Sequence, residues 1–452
     1  MSLVGVFCLA AGCVPKPDAL AHNRHADLTI PKRYDASQPP VPEVSQGLLA
    51  LFADTRLRSY VDRALSHNPD LRASAARLEE AGFNIRKAHA PLVPSLSASA
   101  GASRSQSLLG PVPSRSSRYA AALDTQWEID VWGRIRAGVA ASASAGAAAL
   151  ADDASARESI AAQTMQAYFD LVATEKLLAL SGRRLASFQK SYELVKRRFE
   201  AGTGDLGDLD LARTDVENTR AQLSQRKDSR DQSARRLAVL TGSYPSASRT
   251  SGTSWPSLRR GVRAGIPSTL LMQRPDIDAA YQRIRAADAR VTVAHRDLYP
   301  RFSLTASTGN QSATLKKFAD SNFNVWSVAG NLAAPILDGG SRRAELGAAN
   351  ARAKQAFAAY QSAVLNAFRE VENALGSERH LLGRERSTRN ALTAARSAES
   401  RIRRNYETGL VEILTLLDTQ RRSFNTEESL INIQSLRYKN RVTLALALGK
   451  GL

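Results

Sequence analysis

The second half of this chain repeats the first. Asn68-Pro69-Asp70-Leu71 opens a helical stretch to His89, followed by Leu92-Val93-Pro94-Ser95-Leu96-Ser97. Arg274-Pro275-Asp276-Ile277 opens a helical stretch to His295, followed by Leu298-Tyr299-Pro300-Arg301-Phe302-Ser303. Positions 68 and 274, like 94 and 300, differ by 206. Phe199-Glu200-Ala201-Gly202 matches Tyr406-Glu407-Thr408-Gly409, and Leu240-Thr241-Gly242 matches Ala447-Leu448-Gly449, both at an offset of 207. That period far exceeds the roughly 20–50 residues of solenoid units. The 452 residues are therefore two copies of one large unit, expected side by side about a pseudo-symmetry axis. The expected boundaries are a signal peptide at 1–12, an N-terminal strap at 13–55, a first repeat at 56–250, a linker at 251–272 and a second repeat at 273–452. Their hairpins fall at about 94–132 and about 300–337.

The formal charge is +19, and apolar residues make up 43% with few aromatics. Nucleic-acid binding needs cations gathered into a patch with stacking rings. Here Arg183-Arg184, Arg235-Arg236, Arg342-Arg343 and Arg403-Arg404 are scattered among acids, as on a solvated surface. The six histidines have no metal-ligand spacing, and no nucleophile or phosphate-loop motif occurs. His89 and His295 read as cations near helix C-termini, and Gly202-Thr203-Gly204 as a helix-breaking turn. No cofactor and no enzyme activity are expected.

Both cysteines lie near the start, Cys8 and Cys13. The apolar run ending Leu9-Ala10-Ala11-Gly12-Cys13 has the small residues of a lipoprotein signal-peptidase site. A plain signal peptide is the alternative. No Lys or Arg precedes the run, as a secretory n-region requires, so the true start is expected upstream of Met1. Cleavage before Cys13 leaves one thiol, free to carry lipid.

No run of 18 apolar residues exists elsewhere, so a membrane crossing must use strands. From Tyr119 the odd positions are Tyr119, Ala121, Leu123, Thr125, Trp127, Ile129 and Val131, against Asp124, Gln126, Glu128 and Asp130. Ser95–Ser107 alternates more weakly, and Leu108–Ser117 reads as a Gly/Pro/Ser loop. In the second copy Phe302, Leu304, Ala306 and Thr308 share a face, as do Trp326, Val328, Gly330 and Leu332. Each copy supplies one hairpin with a polar face and a lipid-compatible face, as in a transmembrane barrel; a soluble sandwich edge is the alternative. Tyr119, Leu123, Trp127, Ile129 and Trp326 are the expected lipid-facing residues.

A helix is expected from about Leu57 to His89, ended by Pro91 and Pro94. After each hairpin comes a turn, Trp132-Gly133-Arg134 or Asp338-Gly339-Gly340. From about Arg134 to Phe199 no proline interrupts a helix of roughly 100 Å, which must pack in a coiled coil or tube.

The chain resembles the TolC/OprM-type outer-membrane efflux channels, in particular the NodT-like lipoproteins of resistance-nodulation-division pumps. Asn68-Pro69-Asp70-Leu71, Trp127 to Arg134, Arg274-Pro275-Asp276-Ile277, Tyr299-Pro300, Pro335 to Gly340, Phe368-Arg369-Glu370-Val371, Leu417 to Arg421 and Ala447-Leu448-Gly449 carry the likeness. The resemblance implies a mixed α/β membrane protein, mainly α. It implies a homotrimer whose long helices form a coiled-coil barrel across the periplasm, and whose four strands per subunit close a twelve-stranded transmembrane barrel. Independently, four strands are too few to close a barrel in one chain. The implied protein is a lipid-anchored, passive exit channel for drugs or other small molecules. Its implied partners are a periplasmic adaptor, an inner-membrane resistance-nodulation-division pump and outer-membrane lipid, with no nucleic acid. A type I protein-secretion exit channel is the alternative within the family, and a basic coiled-coil scaffold the alternative outside it.

The resemblance also implies a gate just after the turn containing Gly409. Leu414 falls on an apolar constriction, Asp418 on an acidic ring and Arg421 on its charged partner. Tyr406 falls on a position tying helices together, and Asp208 on the matching acid of the first copy. Leu414, Asp418 and Arg421 are spaced four and three apart, so they share a helix face. Thr415 and Val411 stand where some members carry Asp and Arg.

Overall fold

The computed structural model describes residues 19, 30, 33–35, 52–108, 113–252, 254–256, 273–317 and 320–449. The first copy contains α1 (Thr55–His67), α2 (Pro69–His89), β1 (Ser95–Leu108), β2 (Pro113–Ile129), α3 (Arg134–Glu200) and α4 (Leu206–Leu240). The second contains α5 (Pro275–Arg296), β3 (Arg301–Ser312), β4 (Asn324–Ala333), α6 (Ser341–Glu407) and α7 (Ile413–Ala447). The protein is thus mainly helical with one four-stranded antiparallel sheet, ordered β1-β2-β3-β4. Among the described helices none is long and apolar enough to cross a membrane.

Two expectations need correcting. The helix expected over Leu57–His89 is two helices. Asn68 leaves helical geometry at ψ 128, because the residue before a proline is pushed out of the α region. Its side-chain Oδ1 then accepts the Asp70 backbone N–H at 2.8 Å, capping α2. Leu57, Val61 and Ala64 of α1 and Leu71 of α2 are buried on either side of this joint. The loop expected over Leu108–Ser117 is also shorter. Strand β2 already begins at Pro113, and Gln106 pairs with Arg115. Proline is tolerated as the first residue of a strand, and ladder hydrogen bonds do not need apolar side chains.

The described residues cluster into two compact units. One comprises 76–151 and 278–363 and contains the sheet. The register places Leu123 opposite Ala98 and Thr308, and Thr308 opposite Trp326. One face therefore carries Leu96, Tyr119, Leu123, Trp127, Ile129, Trp326 and Leu332, and the other carries Ser95, Ser97, Ser99, Ser303, Ser307, Asp124 and Glu128. Asp124 accepts the hydroxyls of Ser99 and Ser307, each at 2.8 Å, tying three strands on the polar face. Beyond β2, Asp130 accepts the N–H groups of Ile135 and Arg136 and caps α3. In the second copy, Asp338 likewise accepts from Gly340 and Arg342. In this unit α5 and α6 meet through Ala287, Val291 and Ala294 against Leu346, Ala349 and Ala353. Such small side chains let two helix backbones approach closely.

The other unit comprises 30, 33–35, 52–75, 152–252, 254–256, 273–277 and 364–449 among the described residues. Its main core joins Leu57 and Val61 of α1, Met165, Tyr168, Phe169 and Val172 of α3, Leu237 of α4, and Tyr438 and Val442 of α7. The α3 members recur at i, i+3 and i+4, so they form one stripe. The physical content of the repeat lies in this unit as well. Asn68 Nδ2 donates to the Leu240 carbonyl at 3.0 Å, and Arg274 Nη1 to the Ala447 carbonyl at 3.1 Å. In each copy the residue before the proline thus satisfies a carbonyl at the end of a long helix. Gly242 and Gly449 follow those ends at φ 64 and 63. A Cβ on Gly242 would lie 2.3 Å from the His67 carbonyl oxygen, and one on Gly449 2.9 Å from Gln273 backbone carbon. Only glycine fits both the left-handed conformation and the close approach.

Candidate functional site

The two turns joining long helices are built alike. After α3, Gly202 takes φ 72, and Thr203 N–H donates to the Arg198 carbonyl at 2.9 Å. After α6, Gly409 takes φ 80, and Leu410 N–H donates to the Asn405 carbonyl at 2.8 Å. Both are left-handed glycine caps closed by a six-to-one bond. Above them Tyr406 is buried, 3% exposed, in a cluster with Phe188, Val195, Ala212, Val216, Ile413, Leu416 and Leu417. The Arg198 guanidinium lies 4.3 Å from its ring centroid and donates to its carbonyl at 2.7 Å. Burial pushes the Tyr406 hydroxyl's pKa above its ordinary value; Arg198 opposes this and the Asp208 carboxylate adds to it. Tyr406, Arg198 and Asp208 line a shared open hollow of about 290 Å³. The structure thus brings Tyr406 and Asp208 together across the two copies.

On α7 the inward positions are Ile413, Leu416, Leu417 and Gln420. Gln420 exchanges hydrogen bonds with Ser191 of α3 at 3.0 and 3.2 Å. The opposite side carries Leu414, which is 54% exposed, and Asp418, whose side chain is 49% exposed. Within the protomer Asp418 and Arg421 are not paired with each other. Arg421 Nη2 bonds Asp215 Oδ2 of α4 at 2.9 Å, and Asp418 accepts from Arg422 Nε at 2.8 Å. Arg226 of α4 pairs with Glu428 of α7 farther along. Three contributors escaped sequence reasoning: Asp215, Arg198 and Arg422. The repeat held a signal for the first. An offset of 207 sets Asp215 against Arg422, beside Arg421, so an acid of one copy answers a base of the other.

The five residues expected to face lipid share one sheet face. Leu123 is 47% exposed, Ile129 40% and Trp326 76%. Trp127 and Tyr119 are half-buried. Trp127 Nε1 donates to the Leu92 carbonyl at 3.2 Å, so its ring is apolar on one side and bonded at its polar edge. Glu128 on the other face holds Arg134 through both carboxylate oxygens, at 2.9 and 2.8 Å. Cys13 and the signal segment lie outside the described residues.

Comparison with known proteins agrees with this geometry. The family model "Outer membrane efflux protein" matches residues 60–243 and 266–450. Outer membrane protein OprJ of Pseudomonas aeruginosa is 32% identical over 410 residues, covering 89% of this chain and 85% of its own. Cation efflux system protein CusC of Escherichia coli K12 is 27% identical over 456 residues, 98% of each chain. A solved CusC structure aligns with 93% of this chain and 97% of its own, at TM-score 0.84 and 26% identity. Probable outer membrane lipoprotein SilC of Salmonella typhimurium is 26% identical, covering 100% of this chain and 98% of its own. The chain carries the family's two matched segments, one in each copy of its repeat, and it belongs to the outer membrane efflux protein family.

Proposed function

We propose that this chain is one subunit of the outer-membrane exit channel of an efflux pump, a passive conduit from periplasm to exterior. The observation that carries this is the four-stranded sheet with one apolar and one polar face, in a chain of this family. Strands β1 and β4 each pair on one side only. An open edge is not tolerated in hydrocarbon, so copies must join edge to edge. Three copies, the number the resemblance implies, give a closed twelve-stranded barrel. Asp124, Gln126, Glu128 and the serines then line its water-filled lumen, and the long helices continue the conduit through the periplasm.

In such a trimer Leu414 and Asp418 of three subunits form rings around the axis. A narrow carboxylate ring favours cations, and an apolar ring resists wetting. A periplasmic adaptor and a resistance-nodulation-division pump are the partners this reading supplies. Cargo is a small molecule or ion; the likeness to CusC brings cations into that class. Nothing in this role asks for catalysis. Acylated Cys13 would tether each subunit beside the barrel, a reading supported by the likeness to SilC.

The test is reconstitution of the purified oligomer in planar bilayers together with fractionation of the host. An outer-membrane protein with stable trimeric conductance is expected. A protein absent from the outer membrane and silent in bilayers overturns the proposal.

A further inference from the structure

The apolar face of the sheet changes character toward the β1–β2 tip. Along β1 it reads Leu96, Ala98, Ala100, Ala102 and then Arg104 and Gln106; along β2 it reads Leu123, Ala121, Tyr119 and then Ser117 and Arg115. Arg104 pairs with Ser117 and Gln106 with Arg115, so both arginines stand on the face that carries Leu123. Arg115 Nε donates to Gln106 Oε1 at 2.9 Å, which orients the guanidinium. Neither arginine has a carboxylate partner among the described residues. From residue 81 to residue 123 the chain contains no Asp or Glu at all.

Distance places these cations. From Tyr119 to Ile129 the strand rises about 34 Å, or roughly 25 Å along the normal at a tilt of about 40°. That matches the apolar band of an outer-membrane barrel, with Tyr119 at one rim. Arg104 and Arg115 then lie roughly 5 and 10 Å beyond that rim, in the headgroup layer. The tip is the end away from the helices, so this layer is the outer leaflet.

We propose that Arg104 and Arg115 form a cationic rim that binds the phosphate groups of the outer-leaflet glycolipid. The proposal rests on the exit-channel reading above. Planar guanidinium forks match phosphate oxygens in two-point contacts, and cations at a lipid surface gain from its anionic groups. With no carboxylate beside either arginine among the described residues, both guanidinium groups are left for an anion from outside the protein. Arg118 donates to Gln311 at 2.7 Å from the opposite face, and that position makes it an internal control.

The test compares lipid retained by the purified oligomer after exposure to phosphorylated glycolipid, to the same glycolipid stripped of phosphate, and to inorganic phosphate as competitor. Wild-type protein should retain the phosphorylated form at least fivefold better than the stripped form, and inorganic phosphate should not displace it. Arg104→Gln with Arg115→Gln should abolish that preference, while the Lys pair restores part of it and Arg118→Gln leaves it intact. Equal retention by wild type and the double Gln variant, or a preference lost to millimolar inorganic phosphate, overturns the inference. If wild type conducts and assembles yet shows no preference, this inference alone fails. If it neither assembles nor conducts, the channel reading fails with it.

Discussion

Arg421 sits at the mouth of the α4–α7 contact, and its side chain is 37% exposed. Asp215 is 15% exposed, so the pair is open to water on the arginine side only. The arginine can exchange partners from that open side, while the apolar Tyr406 cluster holds these helix ends together. This separation of tasks makes the gate testable. Asp215→Ala frees Arg421 without touching the apolar core, so it should raise single-channel conductance with the oligomer unchanged. Asp418→Ala removes the exposed carboxylate and should lower cation preference. Planar-bilayer recordings check both. Wild-type conductance and selectivity in the Asp215→Ala, Asp418→Ala double variant would place the constriction elsewhere.

The strands and the helix pairs make separate predictions. A charge on the lipid-side face near midplane costs roughly 2–4 kcal/mol. Leu123→Arg should therefore reduce the yield of assembled oligomer on native gels, and Gln126→Arg, one face over, should not. Equal losses would mean the faces are reversed or the sheet is not in lipid. Along α7, Glu427 receives Arg183 of α3 at 2.6 Å and Arg396 of α6 at 2.8 Å. Burial raises the Glu427 carboxyl, but the two guanidinium groups more than reverse it, leaving its pKa below the ordinary glutamate value. Glu385 is lowered in the same way, with Arg437 and Arg389 outweighing burial. A depressed folded pKa gives stability that is full above the unfolded value near about 4.3 and fades as pH falls through the folded one. Glu427→Gln should thus melt earlier at pH 7 and show a flatter acid dependence below about pH 5. Circular-dichroism melts from pH 7 to pH 3 decide it; parallel curves for wild type and variant would refute the linkage.

The whole protein has two anchors in this reading, the barrel and the lipid. Each barrel strand is bonded through its ladder, whereas an acyl chain adds about 0.8 kcal/mol per buried CH₂. Intact mass of the mature protein should show the residues before Cys13 removed and a diacylglyceryl group added. An unmodified Cys13 in a host with lipoprotein processing refutes that. Cys13→Ser should still reach the membrane in part, because the barrel remains. A Cys13→Ser protein found wholly in the soluble periplasm would mean the sheet does not insert.

Much of this was legible in the chain as written. The repeat follows from motifs matched 206 or 207 positions apart, and the hairpins and the end of α3 near Phe199 from local signals: alternation of two, absence of proline, and glycine where a left-handed cap is needed. Asp130 and Asp338 as helix caps are local in the same sense, since each bonds N–H groups four to six residues away or nearer. Asn68-Pro69-Asp70 is a legible helix start as well, although the helix expected over Leu57–His89 ran through it. The partners of the residues proposed for the gate were not legible. A long arginine on a helix surface reaches several acids, and the choice of Asp215 over Asp418 depends on how α4 and α7 are packed. The Arg198 guanidinium meets the Tyr406 ring across 208 residues of chain because α3 and α6 end side by side. Periodicity and punctuation are properties of neighbours in sequence, so the chain carries them openly. Ion-pair choice and ring stacking are properties of neighbours in space, and they exist only once the helices have packed.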